Sequence, residues 1–531
     1  MDLKQYIDNG LGIVGIEFGS TRIKAVLIDA EHNPIASGDY TWENRFENSV
    51  WTYPESQFYE GLQACFAALQ KDVEKQYGTK IRTLRALGIS AMMHGYLAFD
   101  KDMNLLVPFR TWRNTITGQA AAELSEAFHF NIPQRWTIAH VRQAVLNGEP
   151  HLKDLYRVNT LACYIHYRLT GEWCVGIGEA SGIMPIDSTA MDYDQKMIDV
   201  FDALNAAAGY DFKAREIFPK AIMAGGFAGR LTEEGAKLLD PTGTLAAGCI
   251  VAPCEGDAGT GMAATNSVKM RTGNVSAGTS IFSMVVLEKA LSNYYEAIDM
   301  VTTPDGSPVA MVHCNNCTSD LNAWVRVFKE MLERMGVKPD MNTLYTMLFN
   351  AALEGDPDCG KVLSYNYTSG EAITHVEEGS PMIVRAQEAK LDLPNMMRSL
   401  LYSALATLKL GNNILLKEEN VKVDTLYGHG GYFKTKGVGQ QLLSDALNVP
   451  VSVMATAGEG GPWGMALLAS YCVNRKENET LPDFLQDQVF HGETGESLQP
   501  DPEGVKGFEA YAQAYEKGLA LEREACTCWN S

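Results

Sequence analysis

Apolar and polar positions follow two different rhythms along this chain. Gly12 to Phe18 is almost continuously apolar, whereas apolar and polar residues alternate over Ile23 to Ile28, which favours a strand over a helix. Gly19-Ser20-Thr21 joins the two runs, so the segment reads as two strands around a glycine turn, with Glu17 just before it. The same make-up returns in the second half, where Thr272 to Ala277 leads into Gly278-Thr279-Ser280. Helical spacing appears at Glu55 to Tyr77, Thr117 to Phe130, Asn159 to Leu169, Asp320 to Met335, Asn395 to Glu418 and Gly437 to Leu447. Candidate strands lie between these helices, without low-complexity tracts or short-period repeats, so the pattern predicts an α/β architecture.

A turn of small hydroxyl residues lets backbone N–H groups approach an anion closely. One such turn is a weak phosphate signal. Two in matching settings suggest two half-sites facing one nucleotide. The first runs into a strand and not a helix, so it is not a Walker loop. Glycines cluster again at Glu255-Gly-Asp-Ala-Gly-Thr-Gly-Met262, where a boundary near residue 263 would divide the chain into 1–262 and 263–531. Tyr427-Gly-His-Gly-Gly-Tyr432, a helix carrying Gln440 and Asp445, and Ala457-Gly-Glu-Gly-Gly-Pro-Trp-Gly-Met-Ala466 follow in the second half. Glycines there would let a flat ring lie against the backbone, with a helix starting at Gly464 to close an adenine slot.

At 531 residues, 46% hydrophobic and 9% aromatic, the chain can bury the cores of two to four domains. Its 44 basic and 65 acidic residues leave a net charge of −21, which argues against DNA or RNA as a partner. A small anion is still compatible, because local N–H groups can outweigh net charge. The polar start from Met1 to Gly10 and the lack of a continuous apolar stretch of ~20 residues predict a cytoplasmic protein with no membrane partner. Eleven cysteines fit reduced thiols better than a disulfide framework. Neither Cys314-Asn-Asn-Cys317 nor Cys526-Thr-Cys528 has a second pair at ligand spacing, so neither predicts a metal site.

The ordered set of motifs resembles the FGGY carbohydrate kinases, of the actin, sugar-kinase and Hsp70 ATPase superfamily. The set is the loop at 15 to 29, Met93-His94-Gly95, Trp112-Arg113-Asn114, Arg168-Leu-Thr-Gly171, Glu179-Ala-Ser-Gly182, Gly256-Asp257, Gly278-Thr-Ser280, Gly428 to Gly431 and Gly464-Met-Ala466. The resemblance implies two ribonuclease H-like domains around a nucleotide and sugar cleft, and transfer of the ATP γ-phosphoryl group to a sugar hydroxyl. The last helix is expected to pack back on the first domain.

Phosphoryl transfer depends on positioning and on neutralising charge, and one proton must leave the attacking hydroxyl. The resemblance assigns that proton to Asp257, and Mg²⁺ to Asp257 with Glu17. Glu17 stands where the family usually has Asp, so its longer side chain would reach the metal through a bound water. Gly19, Ser20, Thr21 and Lys24 approach the phosphates from one half. Gly278, Thr279 and Ser280 do so from the other, with Gly430, Gly431, Gln440 and Gly464 holding adenosine.

Met93, His94 and Gly95 match the motif with which the xylulokinase branch contacts a ketose. An imidazole can donate to and accept from hydroxyls, and a thioether packs on C–H faces. Trp112, Arg113 and Asn114 belong to the same sugar side but depart from the usual Trp-Asn-Asp. The expected substrate is a ketopentose phosphorylated at C5, D-xylulose slightly ahead of L-ribulose, and the pattern leaves room for a homodimer. A nucleotide-gated interaction protein like actin or Hsp70 is the alternative. A dinucleotide-dependent dehydrogenase fails, for want of a Gly-x-Gly-x-x-Gly between strand and helix.

Overall fold

A computed structural model describes residues 1–454, 460–492 and 495–528. The chain forms two compact units. One comprises Met1–Val268, Met300–Val309 and Glu459–Glu493, and the other Lys269–Asp299, Ala310–Gly458 and Thr494–Ser531.

The first sheet is built from β1 (Ile13–Phe18), β2 (Arg22–Ile28), β3 (Pro34–Thr41), β4 (Ala86–Ala91), β5 (Ile250–Val251) and β6 (Glu255–Gly256). Its order is β5-β4-β1-β2-β3, with β6 also pairing β4. β1 and β2 form the predicted hairpin, antiparallel with Glu17 opposite Lys24, and β4 lies parallel to β1. β4 is buried at every position, as expected of a parallel strand covered on both faces.

A second sheet contains β7 (Thr272–Ala277), β8 (Ile281–Val286), β9 (Pro308–Cys314), β10 (Thr425–His429) and β11 (Val451–Val453). These are its five central strands, in the order β9-β8-β7-β10-β11. Again a hairpin, β7-β8, is followed by parallel pairing of the first hairpin strand with a later one, β10. The central five-strand order is therefore the same in both sheets, as the ribonuclease H-like duplication requires.

Long periodic helices appear where their spacing puts them: Glu55–Tyr77, Gly118–Phe128, Leu161–Thr170, Thr318–Arg334, Leu393–Asn413 and Val438–Leu447. No described helix is long and apolar enough to cross a membrane. The expected return of the last helix is corrected. Pro502–Thr527 lies in the second unit, and the segment that rejoins the first is the one containing Gly460–Asn474.

Four helices pack on the first sheet: α1 (Glu55–Tyr77), α2 (Ile177–Ala180), α3 (Asp257–Ala264) and α4 (Gly460–Asn474). α4 is buried continuously from Pro462 to Tyr471, the pattern of a helix enclosed on all sides. Glycines let it approach its neighbours backbone to backbone. A Cβ on Gly15 of β1 would stand 2.1 Å from the Pro462 carbonyl oxygen, and one on Gly464 would stand 2.0 Å from that of Thr260 in α3. The expected helix start at Gly464 is thereby corrected: α4 begins at Gly460, and Gly464 lies inside it at a helix crossing. Of the predicted glycine run, Ala457, Gly458 and Glu459 lie outside the described residues.

Gly464→Ala would force two main chains apart, a misfit that costs ~1–3 kcal/mol or more. We expect its melting temperature to fall by several degrees with little change in ATP KM among the molecules that fold; a selective rise in ATP KM at parental stability would contradict this.

Candidate active site

Within the first unit, three segments converge: the β1-β2 turn, the loop after β4, and the junction of β6 with α3. Asp257 is the first residue of α3, with Gly256 as its N-cap. The backbone N–H of Met93 donates to Asp257 Oδ1 at 3.1 Å, so the Met93-His94-Gly95 segment is tied directly to this carboxylate. Asp257 reaches solvent, yet the protein packed around it raises its pKa by desolvation, against the N–H groups of Met93 and Ala258, which lower it.

His94 takes a left-handed backbone, φ 72°, and Gly95 follows at φ 98°. A side chain at Gly95 would meet the Arg110 carbonyl oxygen at 2.8 Å, so this bend needs glycine. The His94 ring is buried, stacks on Trp136 with centroids 6.1 Å apart, and has Nδ1 3.5 Å from the Gly182 carbonyl oxygen. Burial, then the charge of Arg135, holds its pKa well below the usual range. The imidazole is neutral at pH 7 and can accept as well as donate.

The first loop is braced from behind by aromatic side chains. Trp42 Nε1 donates to the Gly19 carbonyl at 2.7 Å and Tyr53 Oη to that of Ser20 at 2.6 Å, while the Trp42 N–H donates to Thr21 at 3.2 Å. The two rings stack with centroids 4.1 Å apart. Gly19 N–H is spent on Arg22, which leaves Ser20 and Thr21 as the loop's N–H donors.

Glu17 is partly buried beside this loop, and a Cβ on Gly461 of α4 would stand 2.2 Å from its Oε2. Its pKa is raised to about 7, first by burial and then by the charge of Asp257, while the exposed Lys24 opposes the rise. The two carboxylates the sequence paired therefore feel one another. Among the described residues no group of three or more His, Cys, Asp or Glu side chains could hold a metal ion. A carboxylate pair in mutual repulsion does fit Mg²⁺, which binds through one or two carboxylates together with water and substrate phosphates.

The sugar-side triplet is split. Trp112 is 39% exposed, with Nε1 3.2 Å from Ser20 Oγ. Arg113 instead lies over the Trp51 ring at 3.8 Å. Asn114 is buried, its amide closing hydrogen bonds to both backbone groups of Trp51 at 2.8 Å and to the Thr111 carbonyl at 2.9 Å. The expectation that Asn114 faces substrate is corrected, since its polar atoms hold the Arg45–Glu47 and Val50–Thr52 hairpin.

In the second unit, Gly278-Thr279-Ser280 is again held by its carbonyls. The N–H groups of Thr318 and Cys317, at the start of helix Thr318–Arg334, donate to Gly278 at 3.1 Å and Thr279 at 3.0 Å. Ser276 is in register with His429, so this loop and Gly430-Gly431 leave adjacent parallel strands together. Gly430, at φ 99°, would place a Cβ 2.4 Å from the Ala277 carbonyl oxygen, whereas Gly431 has open space over it. Gln440 does not join them. Its amide donates to the Val451 and Glu496 carbonyls at 2.7 and 2.5 Å, an internal brace that corrects the expected adenosine contact. Gly464 is likewise committed to packing on Thr260.

Sequence reasoning missed Trp42, Tyr53 and Gly461, whose roles depend on contacts between distant segments. Glu179 was visible only as part of a motif, without a part to play.

The sequence matches the FGGY family of carbohydrate kinases, N-terminal domain, over residues 12–262 and its C-terminal domain over 273–473. The chain belongs to this family of carbohydrate kinases. It is 22% identical to a xylulose kinase of Haemophilus influenzae over 538 aligned positions, covering 95% of this chain and 98% of that one. Its fold is similar to those of a ligand-bound xylulose kinase and a gluconate kinase from Lactobacillus acidophilus. Both have a TM-score of 0.78 and 16% identity, covering 96% and 97% of this chain and 98% and 99% of theirs.

Glu17 binds its proton more tightly folded, at about 7, than unfolded, near 4.5. Its share of stability is therefore present at low pH and declines as pH rises through that window. In buffer without metal or nucleotide, Glu17→Gln should gain melting temperature relative to the parent between pH about 5 and about 7.5. A constant difference across that range would show that Glu17 titrates normally.

Proposed function

We propose that this carbohydrate kinase transfers the γ-phosphoryl group of ATP to the C5 hydroxyl of a ketopentose, D-xylulose ahead of L-ribulose. The observation that carries this reading is the 3.1 Å bond from the Met93 N–H to Asp257, which joins the ketose motif to the general base. Asp257 takes the proton of the attacking hydroxyl. His94 and Met93 bind the sugar's hydroxyl and C–H faces, and Trp112 stands between the sugar side and the Ser20 hydroxyl. The N–H groups of Ser20 and Thr21 receive phosphate oxygens, and the loop at Gly278 to Ser280 with Gly430 and Gly431 provides the nucleotide side of the second unit. Bound Mg²⁺ would be held by Glu17 and Asp257, where it supplies charge neutralisation to the phosphates.

The reading is supported by the relative of nearly full length being a xylulose kinase. The gluconate kinase among the fold neighbours is why the sugar itself has to be tested. Membership of a carbohydrate kinase family leaves the nucleotide-gated interaction protein without support.

ATP consumption by the purified protein, measured with D-xylulose, L-ribulose, D-ribulose, L-xylulose, glycerol and gluconate, should be highest with D-xylulose; a preference for gluconate or glycerol would reject the pentulose. Asp257→Asn should reduce phosphoryl transfer by about 10³-fold with ATP still bound. An active Asp257→Asn enzyme would remove the base assignment. His94→Ala should raise sugar KM by about tenfold, through loss of a buried hydrogen-bonding group, and leave ATP KM near the parental value.

A further inference from the structure

The segment from Ile177 to Gly182 takes no part in the reaction just described, yet it packs against Gly256, Met93 and His94. Glu179 is wholly buried, with no well-formed hydrogen bond to either carboxyl oxygen and with the Thr160 side chain close enough to ease its desolvation. Such a placement is costly and calls for an explanation. The glycines around it define where the carboxyl sits. A Cβ on Gly256 would stand 2.4 Å from Glu179 Oε2 and 2.8 Å from Met93 Cγ. One on Gly182 would stand 2.6 Å from His94 Nδ1 and 2.9 Å from Met93 Cε. The face of Gly256 that would carry a side chain is thus filled by Glu179 and Met93 together, and Gly256 is the residue from which the Asp257 peptide departs.

The neighbouring Glu255 locks the other partner. Its two carboxyl oxygens accept the N–H groups of Gly178 at 3.3 Å and Glu179 at 2.9 Å, and the Gly176 N–H donates to the Cys254 carbonyl at 2.7 Å. α2 is therefore laced to β6, and the side chain it carries closes over Gly256. Packed on this face, Gly256 leads into an Asp257 carboxyl that meets the Met93 N–H. Thr302 fixes α2 from outside, its N–H donating to Ser181 Oγ and its hydroxyl to the Ile177 carbonyl, both at 3.1 Å.

We propose that Glu179 is a positioning residue, whose carboxyl, together with Met93, fills the space over Gly256 and fixes the peptide that aims Asp257. The inference rests on Asp257 being the base. The contact works by shape, so an isosteric amide serves and a small side chain does not.

The test is a double-mutant cycle on the full-length enzyme, assayed with ATP and the sugar that the parent phosphorylates fastest. Glu179→Gln should keep kcat within about threefold, whereas Glu179→Ala should lower it about 30-fold with KM for ATP unchanged, as expected when a reacting group loses its aim. Gly256→Ala should lose about 100-fold alone, and the combined loss with Glu179→Ala should be less than multiplicative, because the second change removes the closer of the methyl's two clashes, at 2.4 Å, and leaves Met93 Cγ at 2.8 Å. Melting temperatures should show the same non-additivity. Multiplicative losses in the double variant, a Gln variant as impaired as Ala, or an effect on KM alone would overturn the proposal. If Gly256→Ala does not fold, the double variant should; failure of both would also overturn it. Asp257→Asn in the same assay separates the two ideas. Its full activity would remove the base, whereas uncoupled Glu179 and Gly256 would remove only the positioning.

Discussion

The close approach of α4 to its neighbours is the constraint on which the first unit depends. A helix with no polar face can be enclosed only if surrounding backbone comes near enough to leave no voids, and glycine permits that distance. Gly15, Gly88, Gly461 and Gly464 each sit where a single methyl would meet main chain or side chain well inside van der Waals contact. These contacts set the position of β1, hence of Glu17, against α3, hence of Asp257. The indole of Trp463 donates to the His32 carbonyl at 2.8 Å, and the His32 ring lies 2.8 Å from Ser470 Oγ, so the polar groups of the enclosed helix are also accounted for.

Around that frame the acidic side chains of the site differ in how they are satisfied. Asp257 stands at the solvent edge and receives an N–H from Met93. Glu255 is buried and accepts two N–H groups, but burial still raises its pKa to about 8. Glu179 has no well-formed hydrogen bond on either oxygen, and burial drives its pKa well above the carboxylate range; the Thr160 side chain opposes that rise, while Glu255 and Asp257 add to it. Of the three carboxyls only that of Asp257 reaches solvent, while those of Glu255 and Glu179 are enclosed behind it. Desolvation is the main cause of the rise in all three.

Much of this was legible in the chain itself. The hairpins and the long helices carry their own periodicity, and Glu55–Tyr77 has the bounds its spacing predicts because an apolar face and a following Gly78 at φ 64° define both its packing and its end. The association of Met93 with Asp257, 164 positions away, was readable only through the family pattern, since nothing local links them. Asn114, Gln440 and Gly464 misled for one shared reason. An amide or a glycine in a motif looks the same whether it faces a ligand or satisfies a neighbouring backbone, and only the fold reveals which carbonyl or side chain it meets. Glu179 was illegible for the opposite reason, as its part comes from contact with a glycine distant in sequence.

The two glycine turns show how one requirement can be met by unrelated residues. A loop that offers N–H groups to an anion must keep its carbonyls pointing elsewhere, because an oxygen turned toward a phosphate would repel it. In the first loop the oxygens are drawn back by an indole, a phenol and one backbone N–H. In the second they are drawn back by the opening N–H groups of a helix, with the Thr318 hydroxyl adding a 2.7 Å bond to Gly278. Two N–H groups at that helix start are therefore engaged by the loop before it. A turn sequence of glycine and hydroxyl residues states only that close approach is feasible; the donors behind it decide which way the backbone faces, and these lie outside the motif in both cases.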